Sequence, residues 1–381
     1  MDFSLTQDQL MLQRTLRDFA TKELEPFAAQ VDEEGKPDLE KVKKLNEMGV
    51  CGIGIPEEYG GSGGGVTEAV IATEELTRGC AGTGLTAIAS LVLCAYPIYH
   101  FGNEEQKRRF LVPLARGQKF GAFAVTESGA GSDVAAVETT ATKRNGNYII
   151  NGTKIFITNG GLADIVVVLT TLDKSLGHRG LTAFIVEKGT PGFSVGKEER
   201  KLGIRGTSTA ELIFDGCTVP EENRLGEERG GFKVALGSID RSRVLVAAQA
   251  VGVARAAYEA SLQYARERQQ FGQPIGNFQA IQWMLADMAT RIDAARLLAY
   301  RAAYLQDLGQ PFVVEAAMAK VFAAETAMWV TTKAIQIHGG YGYIKDYPVE
   351  RHFRDAKIME IWEGTSEMQR LTIARGILHS S

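Results

Sequence analysis

Apolar residues recur at three- and four-residue spacing in LQRTLRDFATKEL (12–24) and LEKVKKLNEMGV (39–50), so residues 1 to about 120 read mainly as amphipathic helices. The first of these helices is expected to be capped near Ser4 or Thr6. IPEEYGGSGGG (55–65) interrupts the helical pattern with proline and glycines. From residue 121 to about 230 the period changes. YIINGTKIFITNG (148–160) is β-branched and aromatic, with Asn151-Gly152 predicted as a hairpin turn. IVVVLTT, LTAFIVEKGT and AELIFDGCTVP follow at regular intervals, which predicts a small antiparallel β barrel or sandwich. From 231 to 381 the helices return and lengthen, in VLVAAQAVGVARAAYEASLQYARER, FQAIQWMLADMATRIDAARLLAYRAAYLQDLG and FVVEAAMAKVFAAETAMWVTTKAIQI. A fourth, shorter helix starts at Thr365, and four helices on short connections predict a bundle. The fold class is therefore α+β: helical domain, β domain, four-helix bundle.

Composition narrows the function. A net charge of −4 offers no basic surface for nucleic acid. No apolar run is read as long enough to cross a bilayer, and the first twenty residues match neither a signal nor a transit peptide, so a cytoplasmic setting, or a mitochondrial matrix for a mature eukaryotic chain, is expected. Cys51, Cys80, Cys94 and Cys217 are widely spaced and imply neither a disulfide framework nor a zinc site. The five histidines form no HxxxH or HExxH pair, which argues against a metal hydrolase. No GxGxxG follows a strand, so a dinucleotide-binding βαβ unit has no support.

One stretch raises a chemical question. IWEGTSE (361–367) places Glu363 between Trp362 and Gly364. A carboxylate packed against an aromatic ring loses hydration, and its basicity rises. Thr365 or Ser366 can cap the helix that follows. The plainer alternative is an acid placed at a helix N-terminus for the dipole.

Three segments decide how to read it: AVTESGAGSDVAA (124–136), QIHGGYGYIKDYPVERHFRD (336–355) and IWEGTSEMQR (361–370). Together with IPEEYGG and RERQQFGQPIGNFQAIQ, their order and spacing resemble the acyl-CoA dehydrogenase family over essentially the whole chain. The resemblance implies FAD, a homotetramer, electron-transferring flavoprotein as acceptor, and oxidation of an acyl-CoA to its α,β-unsaturated thioester. It makes Glu363 the base that takes the α-proton while the β-hydrogen leaves as hydride to flavin N5. The Glu363 backbone N–H and a flavin ribityl hydroxyl would hold the thioester carbonyl, with Gly364 beside the substrate. Relatives that carry the base at the start of the first bundle helix place it where this chain has Ser242.

The same resemblance assigns other positions. Phe123, Val125 and Thr126 contact the flavin ring, and Gly131 and Ser132 lie at the flavin pyrophosphate or the pantetheine arm of the substrate. Phe156, where many members have tryptophan, covers one flavin face, with Ile157 and Thr158 beside it. Arg268, Phe271, Gln279, Gln336, Gly339 and Gly340 bind the FAD adenosine and pyrophosphate, several of them across a subunit boundary, and Thr365 and Glu367 also belong to the flavin set. Asp240 and Arg243 match positions that contact the CoA arm. His338 reads as packing. The acyl pocket is expected near Thr86 to Gly102, and no arginine lies between Arg78 and Arg108 to hold a second carboxylate. That favours a neutral, short acyl group, with branched, cyclic or aromatic acyl-CoA still open, as is an oxygen-using oxidase.

Overall fold

The computed structural model describes residues 4–379. Helix α1 (Gln7–Phe19) begins at Thr6, whose hydroxyl accepts from Gln9 N while the Gln9 side chain returns to Thr6 N. Helices α2 (Ala28–Glu34), α3 (Leu39–Glu47) and α4 (Val66–Gly79) follow. Helix α5 (Ala81–Phe101) contains one π turn at Leu91–Ala95. Its 21 residues, at mean hydropathy 1.6, are long and apolar enough to span a bilayer, contrary to the reading of the bare sequence. Thr83, Thr86 and Ser90 break the run to the eye without offsetting its apolar average. The helix is an interior one, with 94% of its apolar window buried in the fold.

Eight strands follow: β1 (Gly121–Ala124), β2 (Thr140–Arg144), β3 (Asn147–Thr158), β4 (Ile165–Thr171), β5 (Leu181–Glu187), β6 (Phe193–Glu198), β7 (Thr209–Pro220) and β8 (Arg224–Leu225). Their order is β6-β7-β3-β2-β4-β5-β8, with β1 beside β4. The sheet has two edges and folds over itself like a sandwich, so it is not a closed barrel. Nor is it wholly antiparallel: β1 runs parallel to β4, and β2 meets β4 in parallel at Thr140 and Thr171.

The β4 run is buried on both faces. Val166 and Val168 join Phe184, Tyr148 and Leu212 inside the sandwich, while Ile165, Val167 and Leu169 join the helical core. The strand alternation therefore glues sheet to helices, which explains an unbroken apolar run.

The expected hairpin at Asn151-Gly152 does not form. The two-residue turn is Asn145-Gly146, with φ of 50° and 75°, between paired Arg144 and Asn147. Asn151 and Gly152 lie inside β3, where a register shift against β7 falls between Ile150 and Gly152. Asn151 Oδ1 accepts from Gly216 N at 2.7 Å, so the asparagine pins a neighbouring strand instead of turning its own.

The long helices α6 (Gly231–Glu267), α7 (Gln279–Asp307) and α8 (Val313–His338) pack with α10 (Ser366–His379), and the short α9 (Val349–Ala356) precedes the last turn. Where α6 crosses α4, a Cβ at Gly252 would lie 2.2 Å from Thr77 Oγ1, so glycine sets the closeness of that crossing. Beside it, Arg255 on α6 contacts Glu74 and Glu75 on α4, both at 2.9 Å. Arg17 reaches Glu75 from α1, and Arg296 reaches Glu74 from α7. Burial alone pushes the Glu75 carboxyl up, but the hydrogen bonds from Arg17 and Arg255 outweigh it and hold it below 4.5. Four helices share this buried network. Arg255→Ala leaves Glu75 with Arg17 alone and Glu74 with Arg296 alone, and is expected to destabilise the protein by about 1.5–3 kcal/mol. The check is a guanidinium denaturation midpoint, and an unmoved midpoint contradicts the role given to the network.

Candidate active site

The segment between α9 and α10 carries the acid. A 3-10 turn (Lys357–Glu360) leads to Trp362, and Glu363 then takes φ of 52° and Gly364 φ of 91°. A non-glycine residue in the left-handed region is costly and persists where surroundings over-determine it. Here they do. Arg243 Nε and Gln369 Nε2 both donate to Glu363 O at 3.1 Å. Lys320 Nζ at 2.7 Å and Gln369 Nε2 at 2.8 Å donate to Gly364 O. Thr365 caps α10, its hydroxyl accepting from Met368 N at 3.4 Å. Both carbonyls of the turn are thus taken, and Glu363 is left to present its side chain and its N–H.

The Glu363 carboxyl is turned into the protein, and Oε2 lies 2.6 Å from Ser242 Oγ. Ser242 Oγ also lies 2.8 Å from Ile239 O. One hydroxyl proton cannot serve both acceptors fully. Both contacts are met when the carboxyl itself carries a proton and donates to the serine. Desolvation raises the Glu363 carboxyl above 4.5, against the opposing pull of Ser242, Arg243 and Lys320. The site is therefore a half-buried, largely desolvated carboxyl of raised basicity at the cavity wall.

Beside it runs a narrow cavity, about 330 Å³ of empty space including its mouth. Leu85, Ala89, Val92 and Leu93 of α5 line one wall, and Leu245, Val246 and Gln249 of α6 line the other, with Thr158 and Trp362. The expected pocket helix is thus present through Ala89. Ser90 does not line the cavity and instead accepts from Gly121 N at 3.0 Å. Gln249 Oε1 is buried with no protein partner.

Around the cavity the β domain supplies an open cradle. Phe156 is 59% exposed, with φ of 59°, at a register shift between Lys154 and Ile157. An aromatic held outward by a strained backbone fits a ligand face. Ile157 is buried behind it, and Thr158 reaches the cavity. Phe123 and Val125 are nearly buried and Thr126 is half-buried. Ser132 and the glycines of the following loop are exposed, and a Cβ at Gly129 or Gly131 would meet nothing within 4 Å. Under this loop lies a pair that the sequence reading missed. Lys154 is 0% exposed, and its Nζ donates to Val125 O at 2.9 Å and to Glu127 Oε1 at 2.7 Å. Burial pulls the Lys154 ammonium down to about 8. The carboxylate of Glu127 also accepts from Glu138 N and Thr139 N.

Arg243 and Asp240 form an ion pair at 2.6 Å, but Arg243 is buried against the Glu363 turn, so Asp240 is the more exposed member. The remaining assigned residues lie elsewhere. Arg268, His338, Gly339 and Gly340 line a separate depression of about 850 Å³ of empty space including its mouth, with Tyr264 and Tyr341. Phe271 is 92% exposed, and Gln279 and Gln336 are exposed on their helices. His338 stacks on Tyr264 at 4.2 Å, its Nδ1 at 2.8 Å from Ala334 O, in a packing position. Glu367 is exposed at the start of α10.

Models of the N-terminal, middle and C-terminal domains of acyl-CoA dehydrogenase match residues 6–118, 122–217 and 229–378. The chain belongs to the acyl-CoA dehydrogenase family. Its members are FAD-dependent oxidoreductases. It is 50% identical to a short-chain specific acyl-CoA dehydrogenase of Clostridium acetobutylicum over 374 residues, covering 98% of this chain and 99% of that one. It is 52% identical to an acryloyl-CoA reductase (NADH) of Anaerotignum propionicum over 381 residues, covering 99% and 96%. The structure of butyryl-CoA dehydrogenase from Megasphaera elsdenii superposes with TM-score 0.98 at 48% identity, over 100% of both chains.

The exposed Phe156, the open glycine cradle and Thr158 fit a flavin. The buried pair beneath them makes a specific expectation. Lys154→Met leaves Glu127 without its cation and is expected to destabilise the protein by about 3 kcal/mol. It also frees the 125–127 backbone, so purified protein should show a lower flavin-to-protein absorbance ratio. Lys154→Met with Glu127→Leu should recover part of the stability, and a single variant with normal flavin and melting temperature contradicts the role.

Proposed function

We propose that this protein oxidises a short, neutral acyl-CoA thioester to the trans-2-enoyl-CoA, with Glu363 as the base. The observation that carries the reading is the desolvated Glu363 carboxyl at the wall of a narrow apolar cavity. A thioester α-proton is a weak acid, and a dry carboxylate held against the carbon is a stronger base than one in water. Glu363 must first release its own proton, and the ionised carboxylate then receives the α-proton as the α,β double bond forms. FAD, when bound, supplies the acceptor for the β-hydrogen and its electron pair. The Glu363 N–H is the donor left for the thioester carbonyl, since Arg243 and Gln369 occupy the carbonyl oxygen of the same residue.

The other assignments follow from this frame. Phe123, Val125, Thr126, Phe156, Ile157 and Thr158 hold the flavin ring, while Gly131, Ser132, Thr365 and Glu367 border its phosphates or the pantetheine arm. Asp240 and Gly364 border the CoA side, with Arg243 behind them. Arg268, Phe271, Gln279, Gln336, Gly339 and Gly340 bind the FAD adenosine and pyrophosphate of a neighbouring subunit in a homotetramer. The separation of that depression from the Glu363 cavity within one chain supports binding across subunits. Electron-transferring flavoprotein is the acceptor and the setting is cytoplasmic. The absence of arginine or lysine from the cavity wall supports a neutral acyl group.

Glu363→Gln keeps shape and flavin but removes the base, so turnover of butyryl-CoA is expected to fall by about 10²–10⁴-fold. Anaerobic bleaching of the bound flavin by a panel of acyl-CoA thioesters measures both rate and preference. Near-normal bleaching by the variant rejects the assignment, and a preference for long or dicarboxylic acyl chains rejects the substrate class.

A further inference from the structure

Lys320 lies in the third turn of α8 and is 0% exposed. Its Nζ donates to Gly364 O at 2.7 Å, and no carboxylate lies within ion-pair distance of it among the described residues. A buried ammonium without a carboxylate beside it is expensive, and a methionine would fill the same space at lower cost. Its surroundings say what it balances. Arg243, the other cation at the turn, is paired with Asp240 at 2.6 Å, and its charge also acts on Glu363. Ser242 is uncharged, Glu360 pairs with Lys357, and Glu367 is in solvent. Lys320 has no carboxylate of its own among the described residues, and the half-buried Glu363 is the acid next to it, joined through the carbonyl of Gly364. Burial draws the Lys320 ammonium down to about 8, with Glu363 opposing that fall.

We propose that Lys320 is a positioning residue for the reaction: it locks the Glu363-Gly364 turn in its left-handed shape and adds a buried positive charge, beside that of Arg243, against which Glu363 ionises. The inference rests on reading Glu363 as the base. The lysine does not line the cavity and reaches the acid through the turn. It grips the carbonyl that follows Glu363, fixing the direction in which the acid points. Its charge offsets part of the desolvation that disfavours the carboxylate. A dry base can then be deprotonated near neutral pH while its raised basicity is kept.

The two contributions separate in two variants of the flavin-loaded enzyme. Lys320→Gln removes the charge but keeps a donor, and Lys320→Met removes both. Loss of a neighbouring cation should move the acid limb of the kcat–pH profile up by about one unit in Lys320→Gln. KM and flavin content should stay within about twofold, since binding energy made equally in ground and transition states is untouched. In Lys320→Met the limb should move likewise, and kcat at its optimum should fall by about 10²-fold as the turn loosens. Unmoved limbs in both variants overturn the proposal. So does failure of both to fold, which would make Lys320 a core residue only; if only the methionine variant fails, the glutamine variant decides. Glu363→Gln run alongside separates the readings. Retained turnover there overturns the base itself, whereas lost turnover with unmoved Lys320 profiles overturns only the role of the lysine.

Discussion

The structure turns on keeping one carboxyl out of water without losing control of where it points. Two successive left-handed residues, Glu363 and Gly364, reverse the chain between α9 and α10. Donors from three helices hold the two carbonyls of that turn: Arg243 from α6, Lys320 from α8 and Gln369 from α10. The strain of the reversal is borne by hydrogen bonds made well inside the bundle. Removing the bundle would leave the acid as an ordinary exposed helix-capping residue.

The rest of the chain is arranged around that point. Helix α5 contributes an apolar wall to the cavity and is itself sealed inside the fold. The β domain brings Thr158 to the same cavity and holds Phe156 outward at a register shift. Buried charge networks tie the layers together, with Arg255, Glu74 and Glu75 joining helices and Lys154 and Glu127 fixing the loop after β1. The aromatic depression around Arg268 and His338 stands apart from the Glu363 cavity.

Much of this was legible in the residues. The change of period from helical to alternating and back marked the three textures, and Glu363 beside Trp362 marked a dry acid. What escaped notice did so for physical reasons. Asn-Gly occurs twice within eight residues, and only strand pairing, not local chemistry, decides that Asn145-Gly146 turns while Asn151-Gly152 stays extended. The parallel contact of β1 with β4 is a long-range pairing with no local signal. Lys154 and Lys320 look like solvent-facing lysines in any window, because lysine is rarely buried and its burial depends on partners far along the chain. The burial of Arg243, matched to a CoA-arm position, had no local signal, since it depends on Asp240 and on Glu363 O far along the chain.

The most direct test of a desolvated acid is its own titration. Isotope-edited difference infrared spectroscopy of the flavin-loaded enzyme, with Glu363→Gln subtracted, isolates the carbonyl stretch of this one carboxylic acid. A protonated Glu363 signal that persists above pH 4.5, the ordinary glutamate value, is the expected result. A carboxyl that ionises at or below that value would be hydrated or fully charge-paired, and the account of a dry base would be wrong.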